Sequence, residues 1–207
     1  LAQLGTGQYG WNTYKETSPA YINFTDEVGI SSLIAGSDST CAMLENGSML
    51  CWGYNNVGQI GIGWSAGTYP DYVVRNPTDV LLPSDKTVIS ASSGGRQKCA
   101  VLDDYSLYCW GSNYDGQLGD GTNVNRNTPT QVSLPNGKTA VSVGTGNYHT
   151  CALLNDSNLH CWGDNSYGQL GDGTCSASWN SNCSGSDSNT TLEVSLPGGK
   201  SANTWDI

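Results

Sequence analysis

Eight cysteines, two histidines and eighteen carboxylates are the groups in this 207-residue chain whose chemistry could go beyond packing. Six of the cysteines form three pairs at one spacing. Cys41 and Cys51, Cys99 and Cys109, and Cys151 and Cys161 each stand ten residues apart. Structural zinc sites set cysteines only a few residues apart or recruit nearby histidines, so this spacing argues against a metal. A β-hairpin with a three-residue tip such as Glu45-Asn46-Gly47 instead sets 41 opposite 51, 42 opposite 50 and 44 opposite 48. Opposed residues of a non-hydrogen-bonded pair have Cα atoms about 4.5 Å apart, within reach of a disulfide. The spacing therefore predicts one cross-strand disulfide per hairpin. Cys175 and Cys183 are expected to close an insertion, Cys175-Ser-Ala-Ser-Trp-Asn-Ser-Asn-Cys183. Disulfides at this density predict an oxidising compartment, with the protein secreted or at the cell surface.

Five Asn-x-Ser/Thr sequons point the same way, at Asn23, Asn46, Asn155, Asn182 and Asn189. The other possible chemistries are weaker. His149 and His160 flank one hairpin, where the other repeats carry Gln97 and Ser39, and Tyr108 and Leu50; an imidazole that one repeat alone carries reads as structural. The Asp120-Gly121 and Asp172-Gly173 steps offer one carboxylate per loop, too few for calcium, and Ile62 stands at the first equivalent. No Gly-x-Gly follows a strand-to-helix pattern, so no phosphate loop is expected. The sequence predicts no enzyme, no cofactor and no metal.

The elements that must position these residues follow from an internal repeat. Cys51-Trp-Gly-Tyr-Asn-Asn-Val-Gly-Gln-Ile-Gly-Ile-Gly63, Cys109-Trp-Gly-Ser-Asn-Tyr-Asp-Gly-Gln-Leu-Gly-Asp-Gly121 and Cys161-Trp-Gly-Asp-Asn-Ser-Tyr-Gly-Gln-Leu-Gly-Asp-Gly173 align without gaps, and a truncated copy opens the chain at Gln3-Leu4-Gly5. Upstream of each stands Thr40-Cys41-Ala42, Lys98-Cys99-Ala100 or Thr150-Cys151-Ala152; downstream stands Leu82-Pro83, Leu134-Pro135 or Leu196-Pro197. Strands are predicted near 139–145, 149–154 and 158–163, with Thr128 to Leu134 as a fourth. Four short strands in about 50 residues is the size of a propeller blade. Within the motif, Trp52, Trp110 and Trp162 are expected to fill the space between neighbouring sheets. Gly58, Gly116 and Gly168, with Gln59, Gln117 and Gln169 beside them, mark the repeated turn. Asn55, Asn113 and Asn165 are expected to brace it through side-chain to backbone hydrogen bonds.

The Cys-Trp-Gly-x-Asn and Gly-Gln-Leu-Gly-Asp-Gly runs resemble the repeat of the regulator of chromosome condensation family, over nearly the whole chain. The resemblance implies an all-β fold of four-stranded antiparallel propeller blades. Blades are predicted at 19–63, 72–121 and 129–173. Residues 1–18 read as the end of a preceding repeat, 174–189 as the disulfide-closed insertion and 190–207 as the start of a following repeat. About three and a half repeats make an incomplete or open propeller, so the expected partners are further repeats of the same polypeptide or copies of it joined end to end. The blade cysteines depart from the family pattern.

Composition narrows the partners. Lys and Arg number 8 against 18 Asp and Glu, for a net charge of −10. Without a basic patch, neither nucleic acid nor an anionic membrane surface is expected as a partner. No apolar run is long enough for a transmembrane helix. The chain opens at Leu1 without a signal peptide, so a leader or longer N-terminal region is expected outside this numbering. Two functions remain. The first is an extracellular structural or adhesive module in a filament or appendage, since repeat arrays that do not close make fibres. The alternative is a propeller that recognises a protein or glycan through blade loops. The family implies this in its small-GTPase exchange factor, plant light sensor and secreted β-lactamase inhibitor members, but the repeat motif fixes no binding residue.

Overall fold

The computed structural model describes residues 28–65, 72–173 and 186–196. Among them are twelve strands in three four-stranded antiparallel sheets. The first holds β1 (Ile30–Ala35), β2 (Ser39–Leu44), β3 (Met49–Tyr54) and β4 (Val73–Asp79). The second holds β5 (Val88–Ser93), β6 (Gln97–Leu102), β7 (Leu107–Gly111) and β8 (Arg126–Gln131). The third holds β9 (Ala140–Thr145), β10 (His149–Leu154), β11 (Leu159–Gly163) and β12 (Ser188–Glu193). Each sheet is a meander in chain order, the form of a propeller blade. Successive blades meet through their first strands, β9 lying against β5 and β5 against β1.

The hairpin register is as the cysteine spacing predicts, with Cys41 opposite Cys51, Ala42 opposite Leu50 and Met43 opposite Met49, and the same offsets in the other blades. The third tip residue carries a positive φ in every blade: Gly47, Tyr105 and Ser157. This left-handed residue lets a three-residue loop reverse the chain.

The blade boundaries differ from those read in the sequence. Thr128–Leu134 was expected to open the blade at 129–173. Instead β8 pairs with β7, Thr130 opposite Cys109 and Gln131 opposite Tyr108, and so closes the preceding sheet. Likewise β4 closes the first sheet, and Thr190–Glu193 belong to the third sheet, Leu192 opposite Cys161, not to a following repeat. The chain changes blade at the Leu82-Pro83 and Leu134-Pro135 steps. Just before them, the amides of Val80 and Val132 donate back to the Met49 and Leu107 carbonyls, as Val194 does to Leu159, and Pro83 and Pro135 have no N–H with which to extend the ladder.

Two apolar cores fill the seams. The first joins Cys41, Met43, Met49, Cys51, Ile60, Val74 and Val80 of one sheet to Val88, Ala100, Leu102 and Trp110 of the next. The second repeats the set, joining Cys99, Val101, Leu107, Cys109, Leu118 and Val132 to Ala140, Val143, Ala152, Leu154 and Trp162. In each blade the tryptophan sits at a pairing irregularity with the outer strand, between Cys51 and Gly53, Cys109 and Gly111, or Cys161 and Gly163. A bulge of this kind re-aims a side chain out of the ladder. Trp52, Trp110 and Trp162 are all fully buried.

Candidate functional site

The repeated motif is the device that joins blades. In each copy the asparagine accepts a backbone hydrogen bond five residues on: Ile60 to Asn55 (3.0 Å), Leu118 to Asn113 (2.9 Å) and Leu170 to Asn165 (3.1 Å). The glutamine accepts from the amide two residues before it: Val57 to Gln59, Asp115 to Gln117 and Tyr167 to Gln169. The rigid turn so formed receives the next blade. Trp162 donates its indole N–H to the Gln117 carbonyl (3.0 Å), and Thr150 donates to the same oxygen (2.8 Å). A Cβ at Gly119 would lie 2.6 Å from the Trp162 indole nitrogen, and one at Gly116 would lie 2.6 Å from the Asn189 Cα. Glycine is required at both, for close approach as much as for positive φ. Gly58 makes the same approach to Asn127 at the first seam.

Disulfides join Cys41 to Cys51, Cys99 to Cys109 and Cys151 to Cys161, each with Cα atoms 4.1 Å apart, and no described cysteine is free. Cys175 and Cys183 lie outside the described residues, as do Asn23 and Asn182. Asn46 and Asn155 stand exposed at hairpin tips, whereas Asn189 is half-buried in β12. His149 is half-buried and His160 buried, and burial holds both imidazoles below their ordinary pKa. The Asp120 carboxylate is taken up by Arg126 (2.6 Å) and Thr122, a turn brace rather than a calcium ligand. Among the described residues no group of His, Cys, Asp and Glu could hold a metal ion.

The loops leave two rims. On one rim lie the hairpin tips and the Leu-Pro connectors. There Lys86 pairs with Asp104 (3.2 Å) and Lys138 with Asp156 (2.8 Å). On the other lie the turns Gly36–Asp38, Gly94–Arg96 and Gly146–Tyr148. Each is pinned to the loop after the Cys-Trp-Gly strand by a bond from Tyr54 to Asp38, Ser112 to Arg96 or Asp164 to Tyr148. A hollow of about 350 Å³ opens there between the three turns, lined by Asp38, Gly95, Arg96, Tyr114, Asp115 and Tyr148. Two of its lining side chains stand largely in solvent, Tyr114 at 68% exposed and Tyr148 at 57%, and Tyr167 in the corresponding loop of the third blade is 89% exposed. Arg96 bridges the first seam, 3.6 Å from Asp38 and with its guanidinium over the Tyr54 ring. At the second seam burial and the carboxylates of Asp187 and Asp164 push Asp115 above the usual carboxylate range. Burial opposes the charge of Asp164 too, but hydrogen bonds from Ser166 and Gln169 hold its pKa low. The hollow is thus lined by acidic and aromatic groups, with the Arg96 guanidinium already engaged. Tyr114, Asp115, Asp164 and Tyr167 stand at positions of the repeated run where the three copies differ, and Asp38, Arg96 and Tyr148 lie outside the run.

In the sequence Lys98 stands in the landmark Lys98-Cys99-Ala100. It is fully buried at the first seam, beneath the rim, where the other blades place Thr40 and Thr150. Its ammonium donates to Ser39 (2.6 Å) and Ser93 (2.9 Å) hydroxyls. Burial pushes it down to about 7, against the pull of Asp38.

The comparisons with known proteins agree with this geometry. The regulator of chromosome condensation (RCC1) repeat matches residues 46–101 and 105–153, and a second form of that repeat matches 30–59 and 140–169. The ultraviolet-B receptor UVR8 of Arabidopsis thaliana is 29% identical over 174 residues, which cover 80% of this chain and 38% of the receptor. The X-linked retinitis pigmentosa GTPase regulator of Homo sapiens is 28% identical over 164 residues, covering 79% of this chain and 15% of that protein. The crystal structure of Prp20p from Saccharomyces cerevisiae superposes with a TM-score of 0.74 at 18% identity, over 95% of this chain and 45% of that one. This chain therefore spans less than half the length of the relatives it matches. With the repeat matched over half of its residues and the blades folded as the repeat demands, the chain belongs to the regulator of chromosome condensation repeat family of β-propellers.

Proposed function

We propose that this chain is a non-catalytic protein-binding section of a propeller, which takes its partner on the rim formed by the turns Gly36–Asp38, Gly94–Arg96 and Gly146–Tyr148. The observation that carries the reading is the pair of exposed tyrosines, Tyr114 and Tyr148, that line a hollow with Asp38 and Asp115, on loops held rigid by the repeat. Exposed aromatic groups on a preorganised surface are what binding hot spots are made of, and unpaired carboxylates add attraction for a basic segment. The partner this surface fits is a protein segment carrying Lys or Arg beside an apolar side chain, able to cover Tyr148 and to meet Asp115. The relatives support binding over the structural or filament module that the open repeat suggested. UVR8 is a receptor, and Prp20p is known for binding properties to Gsp1p and histones.

Three blade disulfides support an oxidising, extracellular setting. Leu33 supports a further blade of this repeat type beside the first sheet. It occupies the place of Val143, yet is 64% exposed where Val143 is 6%.

The test is a random peptide library panned on the wild-type chain. Enriched peptides should be basic and should bind the Tyr114→Ala/Tyr148→Ala double variant about 10–100-fold more weakly, the loss typical of hot-spot truncation. Enriched peptides that are not basic, or that bind the double variant as tightly as wild type, would sink the proposal.

A further inference from the structure

The five sequons are equivalent as sequence, but the fold does not treat the described ones alike. Asn46 is the middle residue of the tip Glu45-Asn46-Gly47. Its side-chain oxygen accepts from the Ser48 amide (3.0 Å) and from the Ser48 hydroxyl (2.8 Å). The residue two positions on, which the sequon requires to be Ser or Thr, is thus already bonded to the amide group that would receive the sugar. With the oxygen held by two donors, the Nδ2 group of this exposed side chain has no partner among the described residues.

The backbone beneath is fixed. Val88 donates to the Gly47 carbonyl (2.9 Å), and a Cβ on Gly47 would lie 2.3 Å from Thr87, so the tip is seated on the connector with Asn46 to its solvent side. The equivalent residue of the second blade, Asp104, keeps the same turn through Ser106 and adds an ion pair to Lys86. Asn46 stands where that pair is formed, carries no charge and makes none.

Asn189 is the opposite case. Its Nδ2 donates to Asn123 (2.9 Å), its carbonyl accepts from Gly121 (2.9 Å), and its Cα is the atom that forbids a side chain at Gly116. A sugar on Nδ2 would break the second seam.

We infer that Asn46 is an N-glycan attachment site of this protein and that Asn189, despite its sequon, is not. The inference rests on the extracellular setting proposed above. In the step itself the Asn46 Nδ2 bonds to the anomeric carbon of a lipid-pyrophosphate-linked oligosaccharide. The bond from that carbon to the pyrophosphate oxygen breaks, the lipid pyrophosphate leaves with the electron pair, and a transferase base takes one amide proton. The glycan then projects from the rim of hairpin tips and leaves the acidic rim free.

The test is secretion of the chain from a eukaryotic cell, followed by digestion with a peptide-N-glycosidase in heavy-oxygen water, beside a digest without the enzyme that reports spontaneous deamidation at Asn46-Gly47. Enzyme-dependent conversion to labelled aspartate is expected at Asn46 and not at Asn189. Asn46→Asp should abolish the glycan while leaving the thermal midpoint of the deglycosylated protein unchanged, because an aspartate keeps the turn as Asp104 does. An unconverted Asn46, or conversion at Asn189, overturns the inference. Thiol alkylation in the same digest separates the two readings: oxidised blade cysteines with a bare Asn46 overturn the glycan site alone, and free blade thiols overturn the extracellular setting with it.

Discussion

Replacing Lys98 by Met should make the chain more stable, by on the order of 2–4 kcal/mol at pH 6. Methionine fills the volume of the lysine stem, and the ammonium it removes has only two hydroxyls for hydrogen-bond partners in a seam from which water is excluded. Burial brings its pKa from 10.5 down to about 7. The sign of the pH dependence follows. Below pH 7 the native and unfolded chains both hold the proton, and the native state carries the full cost of the buried charge. Between about 7 and 10.5 the unfolded chain holds more protons than the native one, so stability rises with pH until the cost is gone. The methionine variant has no such group. Its advantage over wild type should therefore be greatest at pH 6 and shrink by about 2–3 kcal/mol, most of its size, by pH 9. Urea unfolding of both proteins at the two pH values reads the difference. A variant less stable than wild type at both, or an advantage that does not change with pH, would show that the ammonium is better solvated than its surroundings indicate.

The second large effect is at the blade tryptophans. Trp110→Ala should cost about 3–5 kcal/mol, because the side chain fills the seam between Ile60, Val80 and Leu102 and nothing nearby can collapse into its place. Phenylalanine discriminates the two seams. The Trp110 indole N–H is buried without a partner, while that of Trp162 donates to Gln117. Trp110→Phe gives up no hydrogen bond and Trp162→Phe gives up one, so the second should cost about 1 kcal/mol more than the first. Equal costs in denaturant unfolding would mean that the Gln117 bond adds nothing to the seam.

These two residues also show what could be read before folding. The tryptophan, the glycines and the asparagine brace stand in three copies at fixed offsets, and each has one local job that its chemistry allows. The ten-residue cysteine spacing has one hairpin solution, so register and pairing followed together. The outer strands were not readable in this way. Arg126–Gln131 is half-buried up to Thr130 and exposed at Gln131, without the alternation that marks a core-facing strand, and it returns to β7 after a long loop. Nothing local to those residues says which blade they complete; only the pairing with Cys109 does. Lys98 carried a signal that went unused, a charged residue where two other copies of a buried landmark hold threonine. The rim of Tyr114, Tyr148 and Tyr167 carried none, because Tyr114 and Tyr167 stand where the copies of the repeat differ, Tyr148 lies outside the repeated run, and Tyr114 and Tyr148 meet only once the turns are stacked.

On the proposed function the partner sits on the rim of the turns 36–38, 94–96 and 146–148, and not on the rim of hairpin tips. Hydrogen–deuterium exchange of the wild-type chain, free and saturated with an enriched basic peptide, tests it most directly. Protection is predicted at residues 36–38, 94–96, 112–115 and 146–148, with the tips at 45–48, 103–106 and 155–158 unchanged. Protection confined to the tips, with the turns exchanging as in the free chain, would contradict the account.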